Sequence, residues 1–112
     1  YEACEDAFND NVLLLELRYA PTFITEGHSE LTYEHIHRSL SKGLEMAEKK
    51  FGMATGLIGI VQRVKTLAEA EKAIDFFIDN QSEYIGVDLA DNEEGFDPKP
   101  FARVFTGRDR LI

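Results

Sequence analysis

Apolar and polar residues follow one another along the chain in blocks whose period changes between about 3.6 and 2. Three short apolar blocks, residues 12–20, 55–63 and 84–90, are nearly continuous and rich in Leu, Ile and Val, as buried strands are. Around them, apolar residues recur every three or four positions, which is the spacing of a helix with one buried face. The pattern therefore predicts strands that alternate with helices.

Capping residues mark where these helices begin and end. Thr32 is an expected N-cap, although the third following residue is His35 and not the Glu of a capping box. Gly52 closes that helix. Thr66 caps the next helix, and Glu69 completes its capping box. In chain order, the predicted helices cover residues 1–8, 32–51, 66–80 and a short stretch that starts at Pro98.

The alternation of helices and strands predicts an α/β fold. Crossovers of about 15–20 residues between successive strands imply parallel pairing. Residues 22–31, between the first strand and the second helix, are predicted to form a polar loop. The uncapped residues 103–112, and a first helix that already begins in mid-pattern, suggest a piece of a longer chain.

The strand faces favour one α/β architecture over another. In each strand one face is aliphatic, whereas the other mixes small residues with charges near the carboxyl end: Glu16 and Arg18, then Arg63, then Asp88. In the second strand, Gly59 and Val61 share the mixed face with Arg63, and Gln62 lies on the aliphatic face with Ile58 and Ile60. A doubly wound, flavodoxin-like sheet meets helices on both faces and leaves such charges no place. In a (β/α)8 barrel the mixed face fills the barrel, and its polar groups lie toward the catalytic mouth. We therefore predict a partial TIM-type barrel of about three parallel strands.

Four charges inside a barrel are tolerated only when they pair. The sequence thus predicts a network of Glu16, Arg18, Arg63 and Asp88, with Arg63 next to Asp88. Buried Arg–Asp pairs support the scaffold more often than they perform chemistry. We expect these four residues to shape the mouth of the barrel without attacking a substrate.

Composition and charge narrow the function classes. The chain has 12 basic and 21 acidic residues, a net charge of −9, which opposes binding to nucleic acids and to anionic membranes but allows a small nucleoside in a local pocket. No apolar run approaches the ~20 residues that span a bilayer. The single cysteine, Cys4, fits a reducing compartment, so we expect a cytoplasmic protein.

Few residues have the spacing of a metal site. His35 and His37 are two positions apart, and on a helix they point about 200° apart, so they cannot share one ion. We expect both, like His28, to be surface residues, and Cys4 has no CxxC partner. The chain contains no phosphate-binding loop and no nucleophile elbow. The acidic run after the third strand offers oxygen ligands for a cation, or a solvated loop: Asp88, Asp91, Glu93 and Glu94.

Two stretches resemble a known family. Residues 14–21, LLELRYAP, resemble the LELR-x-x-P strand of the adenosine deaminase family. The later GVDLADNEEG, residues 86–95, resembles that family's G-x-D-L-A-G-x-E strand and loop. Arg63 and the trailing PFARVF also lie in the order and spacing of the family. Together these motifs cover nearly the whole chain.

The resemblance implies a zinc-dependent (β/α)8 barrel hydrolase that removes the 6-amino group of adenosine or a related aminopurine. It implies that residues 1–112 are one incomplete segment, barrel strands two to four of eight. The family's H-x-H zinc ligands, its H-A-G-E strand with the catalytic glutamate and its last aspartate pair lie outside this chain. We therefore expect no catalytic residue and no metal ligand here, and no activity of the chain without the remainder of the barrel.

One position departs from the family pattern. Where the family has a glycine whose backbone amide contacts the purine ring, this chain has Asp91. Its side chain is expected to crowd the base and to add charge beside it. The alternative function is a non-catalytic α/β binding module that uses the acidic loop, residues 91–95, for a cation or a basic partner.

Overall fold

The computed structural model describes residues 1–106. The sequence prediction of an uncapped end over residues 103–112 lies outside this range from residue 107 onward. The helices are α1 (Glu2–Asn9), α2 (Pro21–Ile24), α3 (Tyr33–Phe51), α4 (Leu67–Asp79) and α5 (Ala102–Phe105), with short 3-10 turns at Gln81–Glu83 and Lys99–Phe101. The strands are β1 (Leu14–Tyr19), β2 (Ala54–Gln62) and β3 (Gly86–Ala90). The predicted alternation of helices and strands is confirmed.

The caps form as their residue types dictate. The Thr32 hydroxyl accepts a hydrogen bond from the His35 N–H at the start of α3. Gly52 ends that helix with φ 65°, a left-handed conformation that glycine adopts without steric cost. Thr66 and Glu69 form the predicted capping box at the start of α4. These caps fix the directions in which the chain leaves the sheet and returns to it.

The sheet has the order β1-β2-β3, and both strand pairs are parallel. Each crossover therefore moves one strand over in the same direction, and right-handed crossovers of this kind place their helices on one face of the sheet. A doubly wound sheet instead reverses its strand order and carries helices on both faces. The arrangement is a partial (β/α)8 barrel, as predicted.

The two faces of the sheet differ in burial. Leu57 and Val61 of β2 pack with Ile74 and Phe77 of α4 in the hydrophobic core, on the helix-covered face. Leu14, by contrast, points to the other face and is 62% exposed. We call this second face, which carries Leu14, Glu16, Arg18, Ile58, Ile60 and Asp88, the open face.

The prediction for the two faces of β2 was wrong. It placed Gly59, Val61 and Arg63 on the charged face, but Gly59 lies beside Tyr19 and Val87 on the helix-covered face. Glycine is required there, because a Cβ atom at Gly59 would lie 2.5 Å from the Phe77 ring. Both faces of β2 are aliphatic or small, so alternation along the strand could not distinguish them.

Two local predictions also need correction. The predicted polar loop begins with helix α2, which Pro21 starts at its first position, and Thr22 in this helix is buried. His37 is only 3% exposed, whereas His35 and His28 are exposed as predicted. No helix among the described residues is both long and apolar enough to cross a membrane.

Candidate functional site at the carboxyl edge

The carboxyl ends of the three parallel strands meet at one edge of the sheet, which is where barrel enzymes place their sites. At this edge β1 runs into α2, β2 ends at Gln62 and continues into Arg63, and β3 runs into the acidic loop of residues 91–95. The polar side chains of all three strand ends can therefore reach one another.

A chain of hydrogen bonds joins the three strand ends. The Thr22 hydroxyl donates to Gln62 Oε1 at 2.5 Å, and Gln62 Nε2 donates to Asp91 Oδ2 at 2.7 Å. Thr22 and Gln62 are 7% and 6% exposed, so both are withdrawn from water. Sequence reasoning missed this chain, which we call the Thr22–Gln62–Asp91 relay, because it assigned Gln62 to the aliphatic face and Thr22 to a loop.

Asp91 adopts an unusual backbone conformation. Its φ is +93°, in the region that favours glycine and that non-glycine residues rarely occupy. Its Oδ1 accepts the Asn92 N–H at 2.7 Å, in addition to the bond that Oδ2 accepts from Gln62. The Asn92 N–H and the Gln62 amide hold the pKa of Asp91 below its usual range, so this carboxyl group is ionised at neutral pH.

Of the predicted four-residue network, one contact is present. Arg18 and Asp88 form an ion pair across the open face, with about half of each side chain exposed. Glu16 is exposed on the same face, and within residues 1–106 it makes no ion pair. Arg18 therefore neutralises Asp88, while Glu16 leaves a negative charge next to this pair.

Arg63 lies apart from Asp88, which corrects the predicted pairing. Its Nη2 donates to the Leu89 carbonyl at 3.3 Å and lies 3.4 Å from Glu93 Oε1. The side chain is 10% exposed, and its buried Nε has no hydrogen-bond partner among the described residues. Arg63 follows β2 on the helix-covered side of the sheet. Through Leu89 and Glu93 it holds the acidic loop against β3 from that side.

A second polar cluster lies among the aromatic residues under the sheet. The Tyr19 and Tyr84 hydroxyls are hydrogen-bonded, and the Tyr84 hydroxyl lies 3.0 Å from His37 Nδ1. His37 Nε2 lies 3.0 Å from Glu83 Oε2, but without hydrogen-bond alignment. Burial, with the Tyr19 hydrogen bond, raises the pKa of the Tyr84 phenol, which therefore stays protonated. This cluster ties α3 to the start of β3.

The signal that His37 is buried was present in the helix pattern. His37 lies one turn after Tyr33 and two turns before Leu44, so it shares their face of α3. Its ring stacks on Tyr84 and meets Phe76 edge to face. The polar character of histidine, weighed alone, led to the wrong prediction.

The described residues do not fit a zinc ion. Among residues 1–106 no group of three or more His, Cys, Asp or Glu side chains is positioned to hold a metal. Asp88, Asp91 and Glu93 instead face Arg18, Gln62 and Arg63 respectively. Three of the four carboxylates of the acidic run thus have separate partners, which does not favour the alternative of a cation-binding module.

Comparison with known proteins gives a consistent family match. A family model described as adenosine deaminase matches residues 1–108. Adenosine deaminase from Vibrio cholerae serotype O1 is 30% identical over 95 residues, which cover 85% of this chain and 28% of that enzyme. The adenosine deaminase of Plasmodium gallinaceum is 28% identical over 100 residues, 88% of this chain and 27% of that enzyme. The chain thus spans under a third of these relatives' length.

Solved structures match over almost the whole chain. An amidohydrolase from Burkholderia ambifaria, crystallised with bound zinc, superposes with a TM-score of 0.86 at 25% identity, covering 99% of this chain and 30% of that one. The adenine deaminase of Arthrobacter aurescens superposes with a TM-score of 0.84 at 22% identity, covering 96% of this chain and 32% of that one. The second likeness supports the fold alone.

Proposed function

Since the chain belongs to the adenosine deaminase family, we propose that the protein containing it hydrolyses adenosine or a related 6-aminopurine to the 6-oxo product and ammonia. The single observation that carries this proposal is the family match over residues 1–108. The polar residues gathered at the carboxyl edge of the sheet support it, because that edge is where barrel enzymes bind substrate.

The activity belongs to a protein longer than this segment. The match covers 95 residues of this chain and 28% of the Vibrio cholerae enzyme, and a full barrel needs about 250 residues. We infer that β1, β2 and β3 are strands two to four of eight. The catalytic groups and the zinc ligands would then lie in the remaining strands, and the segment alone would be inactive.

Within this segment we assign binding and support roles only. The backbone N–H of Asp91 would contact the purine ring, at the family's glycine position. Arg18 and Asp88, with Glu16 beside them, would shape the polar wall of the barrel mouth, and Arg63 would hold the acidic loop in place through Glu93. None of these residues attacks the substrate.

The proposed partners and compartment follow from charge and size. The substrate is a small purine nucleoside or base, and the net charge of −9 opposes nucleic acids and anionic membranes as partners. The cytoplasm is the proposed compartment, on the evidence of a single, buried and unpaired cysteine.

A turnover assay tests the proposal. The full-length, zinc-loaded protein is mixed in turn with adenosine, adenine and other 6-aminopurines, and both the loss of aminopurine absorbance and ammonia release are followed. We expect turnover of at least one of these compounds and none of the matching 6-oxo purines. Failure to release ammonia from any aminopurine would reject the proposed function.

A further inference from the structure

Asp91 keeps the backbone conformation of a glycine although it carries a charged side chain. Its φ of +93° is strained for any residue with a Cβ atom. A strained conformation persists only when the surrounding contacts hold it in place. An aspartate at a substrate-facing position also brings a carboxylate that would crowd a purine ring. Contacts with neighbouring residues account for both the strained backbone and the position of the carboxylate.

The carboxylate of Asp91 is held on both oxygens. Oδ1 accepts the N–H of Asn92, and Oδ2 accepts the side-chain amide of Gln62, each at 2.7 Å. Bonds to an ionised acceptor of this kind are among the stronger hydrogen bonds in proteins. The side chain is thus fixed against Gln62, at the end of β2, while the Asp91 residue itself remains exposed to an incoming substrate.

Thr22 fixes the orientation of Gln62. Its hydroxyl donates to Gln62 Oε1 at 2.5 Å, which leaves the Nε2 side of the amide to face Asp91. A flipped amide would bring its oxygen against the carboxylate and repel it. Because Thr22 and Gln62 are both buried, this orientation is kept away from competing water.

We propose that Thr22 and Gln62 are positioning residues that hold Asp91 in its glycine-like conformation, with its carboxylate turned away from the substrate and its backbone N–H presented to the purine ring. This inference rests on the proposed function and deepens it. The relay lets the site keep an aspartate at this position, and it ties the substrate contact to all three strand ends.

The test compares Gln62→Glu with Gln81→Glu in the full-length protein. Gln62→Glu keeps the acceptor for Thr22 but replaces the donor to Asp91 by a second carboxylate. We expect KM for the aminopurine to rise about tenfold, roughly the effect of one lost hydrogen bond, with little change in kcat. A contact made equally in ground and transition states acts on KM. Gln81→Glu makes the same chemical change at an exposed site and should leave KM unchanged.

Two further readouts distinguish positioning from a general structural role. In Gln62→Glu the two adjacent carboxylates raise each other's pKa, so lowering the pH protonates one of them, restores a donor to Asp91 and should bring KM back down. In the double variant Gln62→Glu, Asp91→Gly, the first substitution should add nothing to the KM of Asp91→Gly alone. If the two effects are additive, or if KM of Gln62→Glu equals that of the wild type, the positioning role is overturned.

A measurement without turnover separates this inference from the proposed function. The Asp91 carboxyl carbon is titrated by NMR in the wild type and in Thr22→Val, which removes the hydroxyl with little change of shape. We expect a raised Asp91 pKa in the variant. An unchanged titration contradicts the relay whatever the enzyme does, whereas a wild type that turns over no aminopurine rejects the proposed function itself.

Discussion

At the scale of single residues, Gly59 shows how little space separates β2 from α4. Any Cβ atom at this position would lie 2.5–2.7 Å from ring atoms of Phe77, which is fully buried and cannot move aside. We predict that Gly59→Ala lowers the free energy of unfolding by about 1–3 kcal/mol, the range for overpacked cores. Urea unfolding of the full-length protein measures it.

Phe77→Leu supplies the matched background for that substitution. It removes the ring atoms that a Cβ atom at Gly59 would meet. In this background Gly59→Ala should therefore change stability by less than about 0.5 kcal/mol. An equal effect of Gly59→Ala in both backgrounds would show that the contact between Gly59 and Phe77 is not what limits the size of the side chain.

Arg18 and Arg63 differ in whether they interact with Asp88. Arg18 contacts Asp88 directly, whereas Arg63 faces Glu93 and the Leu89 carbonyl. In double-mutant cycles of stability, we predict a coupling energy of up to about 1 kcal/mol between Arg18 and Asp88, modest because the pair is half exposed. The cycle for Arg63 and Asp88 should give a coupling near zero. A larger coupling for Arg63 would restore the network expected from sequence.

These residues also show what the sequence could and could not predict about the site. Arg18 and Asp88 were expected to belong to one network because both lie near strand ends on faces that alternation makes unambiguous. The prediction nevertheless paired Asp88 with Arg63. Gln62 was missed, since the side it faces depends on the register of β2 with its two neighbours. The positive φ of Asp91 was likewise not predicted, because aspartate adopts a left-handed backbone only occasionally.

At the scale of elements, the start of α4 depends on the ionisation of one carboxyl group. The Thr66 N–H and hydroxyl both donate to Glu69 Oε2 at 2.9 Å and hold the pKa of Glu69 below its ordinary value. A depressed folded-state pKa contributes stability above the unfolded-state value, and this stability disappears as the pH falls through the folded-state value. The capping box should therefore weaken in acid.

We predict that Glu69→Gln destabilises the protein by less than about 1 kcal/mol near pH 7, and that the difference from wild type shrinks as the pH falls below the ordinary pKa of a glutamate. Thermal unfolding across this pH range measures it. Glu45→Gln is the control, an exposed glutamate on α3 outside any capping box. A difference that stays constant down to acid pH would mean that the charge of Glu69 does not act through the cap.

Elements differed in how far their sequences determined them. The two ends of α3 and the start of α4 were predictable, because Thr32, Gly52 and Thr66 act on the backbone of residues close to them in the chain. Helix α2 was not, since Pro21 marks the end of a strand and the start of a helix equally well. The burial of His37 could be predicted from the helix face that it shares with Tyr33 and Leu44, but its hydrogen-bond partner Tyr84, 47 positions further along the chain, could not.

At the scale of the whole molecule, one face of the sheet is packed and the other is open. The same-direction strand order places the helices on one face and leaves Leu14, Ile58 and Ile60 on the other with partial or full exposure. The three strands and their helices bury apolar side chains on one face only. They therefore do not account for the apolar side chains on the open face. We infer that the remaining barrel strands cover the open face in the full-length protein.

Leu14 and Met46 give this inference its sharpest test. Both are large apolar residues exposed in this segment, Leu14 by 62% on the open face and Met46 by 51% on α3. If the barrel closes over the open face, only Leu14 becomes buried.

In the full-length protein we predict that Leu14→Lys lowers the free energy of unfolding by more than about 2 kcal/mol, through lost apolar burial and a buried charge. Met46→Lys should cost less than about 0.5 kcal/mol, as surface substitutions do. Denaturant unfolding of both variants measures the difference, and a Leu14→Lys protein as stable as Met46→Lys would show that the open face stays exposed to solvent.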